Sequence, residues 1–303
     1  MRNAPVSERP PVGVFVGLAT LDVIHRIAKP PGANEKITST AQFVAAGGPA
    51  ANAAVTFAAL GGRAILVTAL GDDPIAATIR ADLTAHDVAI VDAAAGSVRA
   101  VPVSAVSVVE STGDRAVISA DAVNSEASPP EDLGDLVAGA DVVLVDGHHP
   151  LIARAAVRHA TTLGGTLVVD AGRWKPVMAD IISHATDMVC SADFRTPGAD
   201  DPAATADALV ASGVRTVVVT HGGDPVDWWS GGESGSVPVP PVDVVDTLGA
   251  GDVFHGAYAY YSVRRDGGVA ECICRSARVA ALRCSVIGPR AWLSKLASEQ
   301  TRK

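Results

Sequence analysis

The stretch Val244-Val245-Asp246-Thr247-Leu248-Gly249-Ala250-Gly251-Asp252-Val253-Phe254-His255-Gly256-Ala257 carries the strongest signal in the chain. An apolar run ends, a turn of small residues follows, and a helical apolar pattern begins at Val253. Gly249, Ala250 and Gly251 leave backbone N–H groups uncovered at the start of this helix, where the helix dipole also favours negative charge. The turn 249–252 is therefore predicted to be an anion hole of the kind that a transferring phosphoryl group needs.

Asp252 is the one charged residue at the end of this turn. A bound phosphate repels a neighbouring carboxylate, so the carboxylate needs a task of its own, and accepting a proton from an attacking hydroxyl is such a task. For an isolated Gly-Ala-Gly-Asp, a capping role in an ordinary turn is the better interpretation. The preceding Asp246-Thr247 and the following helix favour catalysis, and Asp252 is predicted to be the general base.

Outward from this stretch, the chain alternates short apolar runs with Ala-rich helical stretches. The runs at 142–145 and 217–219 are apolar at every position, which is typical of strands that are covered on both faces. The pattern predicts an α/β fold with a doubly wound, mostly parallel sheet and helices on both faces. The predicted strands are 12–17, 64–69, 141–145, 166–170, 188–191 and 216–220, and the predicted helices are 50–60, 74–85, 151–163 and 203–212.

Two segments interrupt this rhythm with looser patterns that alternate apolar and polar residues, at 22–44 and 99–120. Alternation is typical of antiparallel strands with one face in water. We expect the two segments to pair into a small β-sheet lid, formed by about residues 20–44 and 97–121, on a single domain that spans 1–303. Exposed apolar positions on such a lid favour a homodimer.

The composition narrows the class of protein. Apolar residues make up 48% of the 303 residues and charged residues 19%, which is typical of a globular protein, and the net charge of −9 disfavours nucleic acid as a general partner. No apolar run approaches the roughly 18–20 residues of a membrane span. Residues 1–11 form a polar tail without the apolar core of a signal peptide, and the four cysteines lack metal-ligand spacing. These features predict a cytoplasmic protein with free thiols and no membrane partner.

Two motifs resemble the signatures of one family. Asp246-Thr247-x-Gly249-Ala250-Gly251-Asp252 is similar to the second signature of the PfkB/ribokinase family of carbohydrate kinases. Gly47-Gly48-Pro49-Ala50-Ala51-Asn52-Ala53-Ala54, followed by Leu60-Gly61, is similar to the first, in the same order and separation. Gly-Gly-Pro-Ala-Ala and the stretches 243–247 and 279–284 place the likeness nearest the ketohexokinase and sulfofructose kinase branch. The resemblance implies a ribokinase-like fold and phosphorylation of a sugar hydroxyl by MgATP.

The same resemblance implies a set of ligand-binding residues. For the sugar they are Asp22, Gly47, Gly48 and Asn52, with Lys36 on the lid and His148 after a strand as further candidates. For ATP they are Thr220, Gly222, Thr247 and Arg173. A monovalent cation such as K⁺ would lie near Asp246, Leu248, Ala281 and Gly288.

One segment departs from the family pattern. Many members carry Asn-x-x-Glu, a segment tied to the water network around Mg²⁺, where this chain has Ser191-Ala192-Asp193-Phe194. Mg²⁺ is still expected as MgATP, because phosphoryl transfer needs charge neutralisation. How the protein holds the ion is left open by the sequence.

Three other functions compete with a sugar kinase. A kinase for a nucleoside or another non-sugar alcohol would need an aromatic or apolar slot, and aromatic residues make up only 4% of the chain, with Phe43 alone in the lid segments. A catalytically silent nucleotide- or sugar-binding regulator is favoured slightly by the missing Asn-x-x-Glu and disfavoured by the intact Asp252. An NAD-dependent oxidoreductase would carry Gly-x-Gly-x-x-Gly after the first strand, which residues 17–22 do not supply.

Overall fold

The predicted strands lie side by side in one nine-stranded sheet. The structure, a computed structural model, describes residues 9–122, 125–264 and 267–301. The expected polar tail at 1–11 therefore lies mostly outside the described residues.

The six predicted strands and four predicted helices are all present, with ends within one or two residues of the predicted ones, and the structure adds further elements. The strands of the large sheet are β1 (Val12–Val16), β4 (Arg63–Thr68), β5 (Val88–Asp92), β8 (Val142–Val145), β9 (Thr166–Ala171), β10 (Asp187–Ser191), β11 (Thr216–His221), β12 (Asp224–Ser230) and β13 (Glu233–Val237). The helices are α1 (Pro49–Ala59), α2 (Pro74–Ala85), α3 (Leu133–Ala138), α4 (Pro150–Leu163), α5 (Met178–Ile181), α6 (Pro202–Ala211), α7 (Ala250–Arg264), α8 (Val269–Cys284) and α9 (Trp292–Gln300). A 3₁₀ turn at Ile182–His184 follows α5.

The order of the large sheet is β13-β12-β11-β10-β9-β8-β1-β4-β5. The strands from β11 to β5 in this order are parallel, and β12 and β13 add an antiparallel hairpin at one edge. The chain moves outward from β1 in both directions, so the carboxyl ends of β1 and β8 border the switch point of the sheet. Ligands bind at such switch points in open α/β sheets.

Both faces of the sheet are covered, as the continuous apolar strands predict. Val14 and Val16 of β1 pack with α3, α4 and α6 on one face, whereas Phe15 packs with α1, α2 and α7 on the other. All three side chains are fully buried. The α/β fold with helices on both faces is therefore confirmed.

A second, four-stranded sheet contains β2 (Thr20–Ile27), β3 (Ala41–Gly47), β6 (Val103–Val109) and β7 (Arg115–Ser119), in the order β3-β2-β6-β7. Its strands occupy the two predicted lid segments, and β3 extends three residues further, to Gly47. Pairing is antiparallel within β2–β3 and within β6–β7, but β2 and β6 are parallel. Each insertion folds as its own antiparallel unit, and the two units join through their first strands.

Among the described residues, no helix combines the length and the apolar character that crossing a bilayer requires.

Candidate active site

The turn before α7 has the geometry expected of an anion hole. Gly249 adopts a left-handed φ of +71°, which residues with a side chain rarely take, and this conformation lets the helix begin at Ala250. A methyl group added at Gly251 would meet no atom within 4 Å, so space is open in front of the turn. Ala250 N donates to the Thr247 carbonyl oxygen at 3.3 Å, and Val253 N donates to the Gly249 carbonyl oxygen. The N–H groups of Gly251 and Asp252 have no acceptor within the helix and are available to an anion.

Asp252 lies in the first turn of α7, and a residue from the first signature fixes its carboxylate. Asn52 on α1 donates from Nδ2 to Asp252 Oδ2 at 2.8 Å, across 200 residues of sequence. Burial, reinforced by the charge of Asp170, raises the pKa of Asp252 to about 6, although the hydrogen bond from Asn52 opposes the shift. The two signatures thus meet at one carboxylate whose pKa is that of a usable base near neutral pH.

Asp170, at the end of β9, is the second carboxylate beside the turn. It is 4% exposed, and its Oδ2 atom is buried without a hydrogen-bond partner. Oδ1 lies 3.4 Å from His255 Nε2, and His255 Nδ1 lies 2.6 Å from the Gly251 carbonyl oxygen. His255 therefore links Asp170 to the turn, and the second oxygen of this carboxylate has no hydrogen-bond partner.

Arg290, which precedes α9, orients the amide of Asn52. Its Nη1 atom donates to Asn52 Oδ1 at 2.9 Å, so the Nδ2 side of the amide faces Asp252. The same guanidinium donates to the Ala46 carbonyl oxygen at 2.6 Å and to Asp82 of α2 at 3.1 and 3.2 Å. Neither Arg290 nor Asp82 belongs to a motif, and the analysis of the sequence missed both.

Asp22 on β2 lies against Gly47 on β3. A methyl group at Gly47 would come within 2.0 Å of Asp22 Oδ2, so only glycine permits this approach. Thr20 Oγ1 donates to Asp22 Oδ1 at 2.7 Å. Burial raises the pKa of Asp22, whereas hydrogen bonds from Thr20 and Ser104 act in the opposite direction.

These groups surround one pocket between the small sheet and the helices α1, α7 and α9. Asp22, Asn52, Gly249 and Arg290 line it, together with Ala46, Leu248, Val253, Arg283, Pro289 and Trp292. The predicted sugar-binding residues Asp22 and Asn52 thus share a pocket with the predicted anion hole. Gly48 does not line it: a methyl group there would lie 2.3 Å from the Leu18 carbonyl oxygen, which indicates a packing role.

The small sheet touches the segment that leads into the turn. Thr247 donates from its backbone N and its Oγ1 to the Gly113 carbonyl oxygen, at 3.1 and 2.8 Å. Arg26 on β2 donates to the Val245 carbonyl oxygen at 2.9 Å, and Leu248 packs against the cluster of Ile24, Val106 and Val108. These contacts join the small sheet to the residues that precede the predicted anion hole.

At the switch point, Asp146 follows β8 and has its oxygens fully occupied. It accepts hydrogen bonds from the backbone N atoms of Leu18, Ala50 and His148. Burial alone would raise the pKa of Asp146, but the His148 ring and the buried Lys175 outweigh it and hold the pKa well below the usual range. Asp146 joins β1, β8 and α1 at the switch point.

His148 belongs to this buried network and is 4% exposed. Its Nδ1 atom lies 3.0 Å from Asp146 Oδ1, and its Nε2 atom lies 4.0 Å from Asp121 Oδ2. His148 does not line the pocket that contains Asp22 and Asn52, and its contact with a sugar stays a prediction. Lys36 lies in the exposed segment between β2 and β3, outside that pocket as well.

Three of the four predicted nucleotide residues lie near the carboxyl ends of β9 and β11, the two strands that flank β10. Thr220 is the last residue but one of β11, and its hydroxyl donates to the Cys190 carbonyl oxygen of β10 at 3.3 Å. Gly222, with φ +65°, lies in the tight turn between β11 and β12 and faces open space. Arg173 follows β9 and forms an ion pair with Asp121, and its side chain remains 62% exposed.

Within residues 9–122, 125–264 and 267–301, no group of three or more His, Cys, Asp and Glu is arranged to hold a metal. Asp193, in the segment that departs from Asn-x-x-Glu, is exposed. Asp246, predicted to lie near a monovalent cation, forms an ion pair with Arg283, with Oδ2 3.0 Å from Nη2.

The chain is similar in sequence to known sugar kinases. The chain is similar to ribokinase of Bacillus subtilis (strain 168), with 25% identity over 80% of this chain and 83% of the relative. It is 29% identical to the ATP-dependent ribose-1-phosphate kinase of Halopiger xanaduensis, over 80% of this chain and 81% of the relative. The likeness to the ketohexokinase and sulfofructose kinase branch stays a prediction.

Solved structures show the same fold. A candidate ribokinase from Agrobacterium tumefaciens superposes with a TM-score of 0.83 at 25% identity, over 97% of this chain and 98% of the other. Ribokinase of Arabidopsis thaliana, crystallised with ribose and ATP, gives a TM-score of 0.73 at 24% identity, over 95% and 98% of the two chains. Residues 14–296 match the sequence profile of the pfkB family carbohydrate kinases. The chain belongs to that family of sugar kinases.

Proposed function

We propose that the protein transfers the γ-phosphoryl group of ATP to a hydroxyl of a small carbohydrate, with Asp252 as the base and the 249–252 turn as the anion hole. One observation carries the proposal: Asn52, which holds the carboxylate of Asp252, lines the same pocket as Asp22 and Gly249 of the turn. A hydroxyl in that pocket would have a proton acceptor on one side and a phosphoryl site on the other.

The proposed reaction divides its tasks among these residues. Asp22 accepts hydrogen bonds from sugar hydroxyls and holds the sugar. Asp252 takes the proton of the attacking sugar hydroxyl. The hydroxyl oxygen forms a bond to the γ-phosphorus of ATP, and the bond between that phosphorus and ADP breaks. The N–H groups of the turn stabilise the charge that spreads over the phosphoryl oxygens. Thr220, Gly222 and Arg173 are proposed to contact ATP, as their places at the strand ends allow.

Mg²⁺ would neutralise phosphate charge and orient ATP. The residues beside the anion hole fit such an ion, because Asp170 presents a buried oxygen with no hydrogen-bond partner. We propose that Asp170 holds Mg²⁺, directly or through water, in place of the absent Asn-x-x-Glu.

The partners and location follow as further proposals. Val117 and Ile118 on β7, an edge strand, are 49% and 78% exposed, which supports a homodimer that covers the lid. Light scattering would give the mass in solution. A cytoplasmic location stays a prediction of the sequence.

An ADP-release screen tests the proposed function. Aldopentoses, ketohexoses, sugar phosphates and nucleosides are each offered with MgATP, and the product is identified by mass spectrometry. A sugar that stimulates ADP release and gains one phosphoryl group supports the proposal. Stimulation by nucleosides alone favours the nucleoside kinase, and ATP binding with no acceptor favours the silent regulator.

We expect kcat to fall as the pH drops through about 6, because Asp252 must be ionised to accept a proton and its pKa is raised to about 6. One proton with this pKa gives a rate at pH 5 that is about tenfold below the plateau. The measurement is kcat from pH 5 to 8 at saturating substrates, with circular dichroism to confirm that the fold is intact. A rate that stays level down to pH 5 would contradict the assignment of Asp252.

We expect Arg290→Met to lower kcat by about tenfold, the low end for the loss of a hydrogen bond that involves a charged group. Without Nη1 on Asn52 Oδ1, the amide is free to turn and withdraw Nδ2 from Asp252. The bond from Asn52 lowers the pKa of Asp252, so the acidic limb of the kcat profile should also move to higher pH. Arg290→Lys cannot reproduce the forked contacts and should show the same shift. If the acidic limb of the kcat profile stays at the wild-type pH in both variants, Arg290 only stabilises the fold.

A further inference from the structure

The place predicted for a monovalent cation contains the side chain of Arg283. This arginine, at the end of α8, is 1% exposed. Its guanidinium lies 3.0 Å from the Asp246 carboxylate, 2.9 Å from the Val286 carbonyl oxygen and 3.4 Å from the Asp246 carbonyl oxygen. One buried positive charge is therefore surrounded by a carboxylate and two backbone carbonyls, which are the ligand types that hard cations take.

Atoms at the other positions predicted for an ion also take part in hydrogen bonds within the protein. Asp246 Oδ1 accepts from Leu248 N at 3.0 Å, and Oδ2 accepts from Gly288 N at 3.1 Å in addition to the ion pair. The Ala281 carbonyl oxygen accepts from Ser285 N at the end of α8. Gly288 thus offers an N–H group to this place, and a second cation would be repelled by the guanidinium. The residues present do not fit a bound K⁺.

Arg283 lies where the end of α8 meets the segment that leads into the 249–252 turn. Val245 N and Asp246 N both donate to the Cys284 carbonyl oxygen, so the segment that leads into the anion hole is tied to the end of α8. Arg283 neutralises Asp246 at this junction and also binds Val286 in the loop that follows. Arg283 therefore holds the backbone at Asp246, three residues before the 249–252 turn.

We propose that the guanidinium of Arg283 is a built-in cation that replaces a monovalent ion beside the anion hole. The consequence, which rests on the proposed kinase function, is an enzyme whose turnover needs no K⁺. Without Arg283, the oxygens of Asp246 and Val286 would form an anionic site that an exchangeable cation can fill.

The test compares wild type, Arg283→Ala and Arg278→Ala, a control on the exposed face of the same helix. Thermal unfolding is followed in potassium, sodium and tetramethylammonium chloride at one ionic strength, and Tl⁺, a probe for K⁺ sites, is titrated by thallium NMR. An ion that binds only the native state raises the unfolding temperature. We expect no ion-specific rise and no saturable Tl⁺ binding in wild type or in Arg278→Ala, and both effects in Arg283→Ala.

Kinetics complete the test with the sugar found in the screen. An effector that acts on a second site typically changes the affinity there by about 5- to 150-fold. We expect no such effect of K⁺ on the wild type, so its kcat/KM should differ by no more than about twofold between potassium and tetramethylammonium. Arg283→Ala should lose at least about tenfold in kcat and recover part of it with K⁺ or millimolar guanidinium. If Arg283→Ala fails to fold, Arg283→Met, which keeps more of the buried volume, takes its place.

Several outcomes would overturn the proposal. They are saturable Tl⁺ binding by wild type, K⁺ activation of wild type by about fivefold or more, or a folded Arg283 variant that gains no ion binding. The unfolding and thallium measurements need no substrate, so they decide the question even if the screen finds no phosphorylated sugar. Failure of the kinase proposal would then appear in the screen alone.

Discussion

Asp252→Asn is expected to lower kcat by about 10²- to 10⁴-fold, the range typical of a lost general base. The amide has the shape of the carboxylate, and its oxygen can still accept the hydrogen bond from Asn52 Nδ2. What disappears is the ability to take the proton of the hydroxyl. Because burial already disfavours the ionised form, the neutral amide should not lower the unfolding temperature.

The measurement is kcat at saturating ATP and sugar, together with the affinity for ATP from calorimetry. Asp207→Asn, an exposed carboxylate on α6, is the matched control and should retain wild-type kinetics. The residual activity of Asp252→Asn should also lack the acidic limb near pH 6. A variant that keeps about a tenth or more of wild-type kcat would show that Asp252 caps α7 without acting as a base.

The elements of the large sheet were predictable where burial on both faces leaves a simple pattern. Each predicted strand and helix was found within one or two residues of its expected ends. The hairpin of β12 and β13 was missed because it lies at an edge, where half-exposed residues such as Trp228 and Trp229 mix with polar ones. The short β5 was missed for a similar reason, since only Val88 of its residues is buried.

In the site, likewise, contiguous motifs were predictable from the sequence, whereas contacts between residues far apart in the sequence were not. The turn 249–252 and the Asn52 segment are contiguous motifs, and the sequence placed both at the pocket. Arg290 and Asp82 are single charged residues with no pattern around them, and the stretch 279–284 did not predict the buried ion pair of Arg283. Arg290 lies 208 residues from Asp82 and 238 from Asn52, so only the folded backbone brings them together. The spacing of residues in the sequence therefore could not predict which partners these side chains contact.

Asp22→Asn is expected to lower kcat/KM for the sugar by about 10- to 150-fold, since hydrogen bonds to a charged group contribute about 1.5–3 kcal/mol. Asp22 Oδ1 already accepts from Thr20 at 2.7 Å, and the carboxylate lines the pocket beside Asn52. An amide presents one acceptor instead of two and turns a donor toward the sugar. The loss should appear mainly in KM, because Asp22 binds the sugar before and during transfer alike.

Stability separates this role from a structural one. Burial raises the pKa of Asp22 in the folded protein above its unfolded value, so the native state binds more protons, and its stability falls as the pH rises above the unfolded pKa. The neutral amide escapes that cost, and Asp22→Asn should unfold at the same or a higher temperature at pH 7. Asp114→Asn, an exposed carboxylate in the lid, is the control for both measurements. Unchanged KM would remove Asp22 from the sugar site, whereas a raised KM with a lowered unfolding temperature would make it part of the framework of the lid.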